Sequence, residues 1–520
     1  MSESQSPGGS ARRFALAVAL TGVAVAVATA IVFLARAGGD PAAASTWPIT
    51  WELRSSDNGT LFQFWGDVAA GRTLDWSFSP QVFVFPELPL SGVAYLTSAG
   101  GIYGYYLVVA ILNQVVLFLL FTALARVLWP AASIGATLTR AVIAIVPLLL
   151  LPVVGTSWVM SFHLAPTYYV GMYFALVAAP LLFAARRPWT RALLGVALAL
   201  TIASNPLTVV FAAPGLAAVV VARIVRSGWR SVLRPAAWVV ALAAVTVLVR
   251  IAVTPLQGTG LLAYLAPGVF SSRLAQLWPY WSYQLLDPAA RIILPVGALL
   301  AFGCLFAAVT AWIALVTKQR EFDERRSFAA VFLGLVPVGG IVATFLATIT
   351  QFYYFWPALV LPFALAAFAL PRRTLKVARV VAAASLLVVG IVGGGGATLA
   401  DAGRYFGYRS PETQCLDAAV SGQVGFATFS DARRVSLPSA TGVRLIQVNA
   451  NLTPNLWLTN RAYSESETGT FFYANEHGDE RALDGDVIFA RFGAPDRKVS
   501  CSAGQTLWIY DRPLTVSNDQ

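Results

Sequence analysis

Eleven apolar runs, each about as long as a bilayer is thick, follow one another between residues 14 and 398 of this chain. A helix crossing a bilayer needs roughly 20 predominantly apolar residues. The runs fall at about 14–36, 104–127, 141–161, 167–185, 190–204, 207–224, 235–255, 291–316, 328–349, 353–370 and 377–398. The fifth is short and meets the sixth at the turn signal Ser204-Asn205-Pro206. No soluble fold absorbs this pattern. Hydrophobic residues make up 57% of the chain and charged residues 12%, against roughly 25% charged in globular domains. A cytosolic enzyme, a disordered chain and a disulfide-rich small domain are excluded. The expected fold class is an α-helical polytopic membrane protein with about 11 transmembrane helices.

Residues 1–11 are polar and rich in Gly, Ser and Pro, which predicts a disordered cytoplasmic N-terminus. The first apolar run exceeds the roughly 7–15 residues of a signal-peptide core, so it reads as a retained anchor. Short loops rich in Lys and Arg stay on the cytoplasmic side. With the N-terminus inside, the cytoplasmic segments hold 19 basic residues against four acids, a balance of +15. The other 17 basic residues and 21 acids give −4. The net +11 is therefore a topology signal, and nucleic acid is excluded as a partner. Ala/Val/Arg-rich spans of this kind fit a bacterial plasma membrane. Residues 12–399 form the multi-pass domain, with a large first outer loop at 37–103 and a second at 256–290.

After Gly393-Gly394-Gly395-Gly396 the composition changes, and the chain from Asp401 onward carries 14 of the 25 acids. Residues 400–520 are expected to form an extracytoplasmic soluble domain, α/β or mostly β. The runs Val424–Phe429, Arg444–Val448, Asp486–Ala490 and Leu507–Tyr510 read as its strands. Cys415 and Cys501 bracket this domain on the oxidising side. A disulfide between them is expected, contributing roughly 4 kcal/mol on a chain-entropy account. Cys304 lies within a span and reads as packing.

Carboxylates are placed unevenly: not one Asp or Glu occurs between Glu87 and Asp287. A carboxylate base must then come from the first outer loop, from Asp287 or from the tail. In that loop Leu61, Phe64, Trp65 and Val68 recur at helical spacing, predicting an amphipathic helix lying along the membrane interface. Thr60 suits its N-cap, Gly71 its C-cap, and Asp57 precedes it. A Pro- and aromatic-rich stretch follows, containing Glu87.

An N-terminal anchor, an acidic first outer loop with a horizontal helix, many further spans and a soluble outer tail resemble the GT-C glycosyltransferases. The residues carrying the resemblance are Asp57-Asn58-Gly59, Ala69-Ala70-Gly71-Arg72 and Phe85-Pro86-Glu87-Leu88-Pro89. The resemblance implies transfer of a sugar from a polyprenyl-phosphate donor to a cell-envelope glycan, lipid or protein. It also implies that a first-loop acid is the base or a metal ligand, Asp57 first. Many members pair two adjacent acids, whereas Asn58 follows Asp57 here, so Asp67 or Glu87 must supply the second. No cofactor is firmly implied; a divalent metal is compatible, its ligands unknown.

The chemistry asks for a base near the acceptor hydroxyl and cations around the leaving phosphate. Arg250, Arg273 and Arg291 are candidates for the phosphate, with His163 beside them. Trp278, Tyr280 and Trp281 suit sugar stacking. Each has a plainer reading. Asp57 is also a solvated loop acid or helix cap, Asp67 an acid facing water on the horizontal helix, Glu87 a turn residue and His163 a satisfied polar group. Arg250 also reads as snorkelling, the aromatics as an interface belt, and Asn113 and Gln114 as interhelical hydrogen-bonders. Two rival functions stand beside the enzyme: a lipid or polysaccharide flippase or transporter, and a non-catalytic envelope assembly protein.

Overall fold

The computed structural model describes residues 7–37, 56–154, 162–167, 170–257, 290–317, 324–347, 356–371, 373–388, 405–466, 468–475, 483–502 and 504–516, with isolated positions at 275, 279, 282, 285, 286 and 403. Helices dominate. They are α1 (Pro7–Ala37), α2 (Ser56–Ala69), α3 (Glu87–Thr97), α4 (Ile102–Leu128), α5 (Ile134–Val154), α6 (Val170–Ala184), α7 (Pro188–Ser204), α8 (Leu207–Ser227) and α9 (Leu233–Val253). After these come α10 (Ala290–Val316), α11 (Glu324–Gly334), α12 (Val336–Ala347), α13 (Trp356–Ala369) and α14 (Leu375–Val388).

Seven helical stretches among the described residues are long and apolar enough to cross a membrane: Ala11–Leu34, Ile102–Leu128, Ile134–Val153, Leu207–Ser227, Trp229–Leu256, Ala290–Val316 and Arg326–Ala343. Three further apolar helices, at Val170–Ala184, Pro188–Ser204 and Pro357–Ala369, are shorter. This is the architecture of a polytopic membrane protein. Each of the eleven expected segments contains helix, and seven have the full crossing length. The ninth is divided at Leu335, two residues before Pro337, whose missing amide cannot continue a hydrogen-bond ladder.

The bundle core joins α1, α4, α5, α6, α8 and α10–α13 through residues such as Phe118, Phe121, Leu148, Tyr173, Phe211 and Phe332. Small residues let backbones approach where packing drives association. A Cβ on Gly215 of α8 would lie 2.6 Å from the Phe332 carbonyl oxygen of α11. On α9 and α10, by contrast, Leu248, Ile251, Phe302 and Phe306 face outward, as hydrocarbon rather than water permits.

The C-terminal region adds α15 (Pro411–Ala419), α16 (Phe429–Ser436), α17 (Arg461–Ser466) and α18 (Gly485–Phe492) to a sheet. Its strands are β2 (Val424–Thr428), β3 (Arg444–Val448), β5 (Gly469–Asn475), β6 (Arg497–Ser502) and β7 (Gln505–Leu514), in the order β3-β2-β5-β7-β6. The first three are parallel, and β7 runs antiparallel to both its neighbours. Two-residue periodicity sorts the side chains. Leu445, Phe471, Leu507 and Ile509 pack under α15 and α16; Ile446, Phe472 and Trp508 pack with Ile488 of α18 on the other face. The domain is α/β. Cys415 of α15 and Cys501 of β6 form the expected disulfide, with Cα atoms 5.4 Å apart.

Residues 424–428, 444–448 and 507–510 are strand, as their β-branched and aromatic runs imply. The run at 486–490 is helical instead. Asp484 caps it by accepting from the Asp486 amide at 2.9 Å, and Ile488 and Phe492, four apart, face the core. Val487 and Phe489 are exposed, so the burial follows a helix.

Candidate functional site

The first loop and the C-terminal domain meet along α2. That helix starts at Ser56, a turn earlier than expected, because its first turn is held from outside. The Ser56 hydroxyl donates to the Phe429 carbonyl of α16, and the Ser56 carbonyl accepts from Arg433 at 3.2 Å. Asp57 therefore lies in the first turn, and Thr60 lies inside the helix, donating to Ser56 at 3.1 Å. Gly71 ends the helix as expected. Its φ is +65°, its amide reaches Val68, and the Arg72 amide reaches Asp67, which satisfies the last carbonyls.

The helix has partners on two sides. A Cβ on Gly59 would meet Leu437 at 2.6 Å and Arg433 at 3.2 Å, so α16 packs against its backbone. Trp65, from the predicted apolar stripe, turns to α3 and donates to Leu88 and Ser91. Asn58, Gly59 and Thr60 are buried while Val68 is exposed. The buried surface is thus wider than the apolar stripe, because protein covers the polar side as well.

Asp67 holds the junction together. Only 1% exposed, its carboxylate accepts from Tyr463 at 2.7 Å, Asn460 at 3.1 Å and Arg72 at 3.2 Å. Beside it Trp76–Ser77 (β1) pairs antiparallel with Thr459–Asn460 (β4), and Arg461 binds Asp75 through both Nε and Nη2. Below them Leu61, Trp76, Phe78, Val82, Phe83 and Leu458 share a small core with Val253 of α9. Arg433 is buried too, donating to Gln63 at 2.6 Å, to Ser56 and to the Leu458 carbonyl. Burial pulls its guanidinium down to about 10, against the attraction of Asp57, Tyr106 and Asp67. It remains cationic at neutral pH.

The stretch after β1 is tied to the bundle by Arg250, which donates to Pro80 at 2.8 Å and to Ala203 at 2.9 Å. The Phe85 amide donates to the Ser204 hydroxyl at 2.9 Å. Glu87 follows as the first residue of α3, 7% exposed. Its Oε1 accepts the Gly171 amide of α6 at 3.0 Å, while Oε2 has no hydrogen-bond partner among the described residues. Burial raises this carboxyl from the usual carboxylate range to about 7, against its two backbone hydrogen bonds. Gly171 is required here, since a Cβ would lie 2.5 Å from Oε1. Four residues before it, Thr167 donates to Asn58 at 2.9 Å. The segment between α5 and α6 thus touches Asn58, next to Asp57, and the first turn of α6 touches Glu87.

His163 is in that segment, 1% exposed, and burial lowers it to about 3, so its ring is neutral. Asn113 and Gln114 of α4 donate to its carbonyl at 3.3 and 3.4 Å, fixing the turn as well as joining helices. Arg291 is exposed and donates to Leu285 at 2.7 Å. Arg273, Trp278, Tyr280 and Trp281 lie outside the described residues. Among the described residues no three His, Cys, Asp or Glu side chains gather as a metal set. The structure therefore places Asp57 and Asp67 on α2, Glu87 at the start of α3 and His163 in the turn before α6, and gives Arg250 a backbone-bracing position. Arg433, Asn460, Tyr463 and Gly171 have no counterpart in the sequence reading.

The chain matches no known family model, no curated protein and no solved structure.

Proposed function

We propose that this chain is a membrane glycosyltransferase of the GT-C type. It moves a sugar from a polyprenyl-phosphate donor to a cell-envelope glycan, lipid or protein. The proposal includes eleven crossings of a bacterial plasma membrane, with the N-terminus cytoplasmic. The first loop and the C-terminal domain then lie outside, as the split of +15 against −4 supports.

The observation that carries the reading is Glu87: a buried carboxyl with one oxygen unpartnered among the described residues, pushed by burial up to about 7. A general base works best when its pKa is near the working pH, and such perturbed carboxyls concentrate at functional sites. Asp67, by contrast, has its oxygens engaged by three donors, so its role is to fasten the junction. Asp57 is the second carboxylate, in the field of Arg433.

The acceptor hydroxyl attacks the anomeric carbon, forming the new C–O bond as the bond to the phosphate oxygen breaks. The electron pair leaves with the lipid phosphate, and the hydroxyl proton passes to Glu87. Asp57 stabilises the positive charge developing on the sugar. The resemblance puts Asp57 first as base; Glu87 is the better proton acceptor here because its pKa already lies where a base must work.

The test is a panel of radiolabelled polyprenyl-phosphate sugars offered with envelope acceptors to the purified protein in lipid. Transfer of one sugar supports the proposal. No transfer from any donor, with lipid translocation in a parallel vesicle assay, would replace it by the flippase reading.

A further inference from the structure

Away from this junction, at the end of the bundle where α4 gives way to α5, a cleft opens between α1, α5 and α14. Its cavity volume is about 280 Å³, open along one side. Its walls are Thr21, Leu138, Val142, Ala382 and Ala383, with Arg379 beside Thr139 and Gly135. The wall hydroxyls point back into their own helices: Thr21 donates to Ala17 at 2.8 Å and Thr139 to Gly135 at 2.7 Å. What they show the cleft is carbon.

Arg379 is the polar feature at the cleft. Its Nε donates to Thr139 at 3.1 Å, and among the described residues no hydrogen bond engages its terminal amines. Nothing in the three helices neutralises it. They contain no Asp or Glu, while carrying Arg12, Arg13, Arg36, Arg140, Lys376 and Arg379. Arg126 of α4 adds to them, its guanidinium 4.9 Å from the Phe14 ring. Arg140 is already occupied, donating to Leu370 and stacked on Trp129.

An apolar channel of roughly 10 Å along α5, from Gly135 to Val142, beside a guanidinium with two available amines selects its occupant. A soluble anion would leave the walls bare. A lipid without a phosphate would leave the cation without a counterion, and a peptide would bring backbone amides that these walls cannot satisfy. We propose that the cleft binds one anionic phospholipid. An acyl chain lies along Leu138, Val142, Ala382 and Ala383, and the phosphate accepts from the Arg379 amines. This site is independent of the glycosyltransferase reading.

The experiment titrates delipidated full-length protein in detergent with phosphatidylglycerol or diacylglycerol of matched chains, counting bound lipid by native mass spectrometry. One phosphatidylglycerol should bind about tenfold more tightly than diacylglycerol, which lacks the phosphate, the size of one charge-assisted contact. Arg379→Gln should remove that preference. Ala383→Trp, which fills the cleft and leaves the charge alone, should weaken both lipids, and thermal melting of each variant verifies folding. Glycerol phosphate, which has the head without the chains, should not compete. Equal affinity for the two lipids, an unchanged preference in Arg379→Gln, or competition by glycerol phosphate would overturn the proposal.

Discussion

Replacing Asp67 by Ala should unfasten the C-terminal domain from the first loop while leaving the bundle folded. Three donors lose their acceptor. Arg72 has a side chain 39% exposed, so water replaces its partner and the loss is within about 1 kcal/mol. Asn460 is fully buried but keeps Thr73 at 2.7 Å. Its second amide hydrogen is stranded, at about 1–3 kcal/mol. Tyr463 is half-buried, and its hydroxyl exchanges a carboxylate 2.7 Å away for water, at about 1 kcal/mol. Together these give about 3 kcal/mol, or roughly a hundredfold in the opening equilibrium of the junction. Hydrogen exchange in lipid nanodiscs reads that equilibrium directly. Peptides covering 66–77 and 456–466 should exchange about a hundredfold faster, with those from α4 and α5 unchanged. Asp67→Asn should fall between, since it keeps one carbonyl for Tyr463. An Ala variant within threefold of wild type at the junction would refute the assignment of Asp67 as its fastener.

Other outcomes follow from the same geometry. Glu87 binds its proton more tightly in the folded protein than the usual 4.5 for a free carboxyl. Its contribution is therefore full below about pH 4.5 and lost as the pH rises through about 7, on the order of 3 kcal/mol in all. Glu87→Gln should flatten that part of the melting-temperature profile between pH 5 and 8; a profile parallel to wild type would contradict the burial argument. Gly171→Ala should cost about 1–3 kcal/mol through overpacking and shift the Glu87 titration, both visible in the same melts. Replacing Cys415 and Cys501 by Ala opens a link spanning 86 residues. It should destabilise the C-terminal domain by about 4 kcal/mol, seen in full-length protein as faster proteolysis within 405–516.

Where a pattern is local, the sequence reading reached the structure. The apolar runs, the Gly71 terminus and the strands at 424–428 and 444–448 each follow from residues within a few positions of one another. The run at 486–490 failed because four consecutive apolar residues fit either period, and Asp484 decided for helix by capping it. The start of α2 was misplaced because Phe429 and Arg433, more than 370 residues away, hold its first turn. The same distance hides the junction. Asp67 finds Asn460 and Tyr463 across 393 and 396 residues, and no spacing rule connects them. Arg250 invited a phosphate because a cation beside an apolar run looks unpaired in sequence. In the fold the carbonyls of Pro80 and Ala203 are its partners. Glu87 was legible as the last acid before a long acid-free stretch, but its burial against Gly171 was not.

The central claim is that first-loop carboxyls perform sugar transfer, and initial rates of the variants test it most directly. With a donor found for wild type, Glu87→Gln and Asp57→Asn should each lower kcat at least about a hundredfold, the scale of a lost general base or electrostatic partner, with hydrogen exchange at the junction unchanged. Both variants turning over within twofold of wild type, folded and with the same donor, would contradict it.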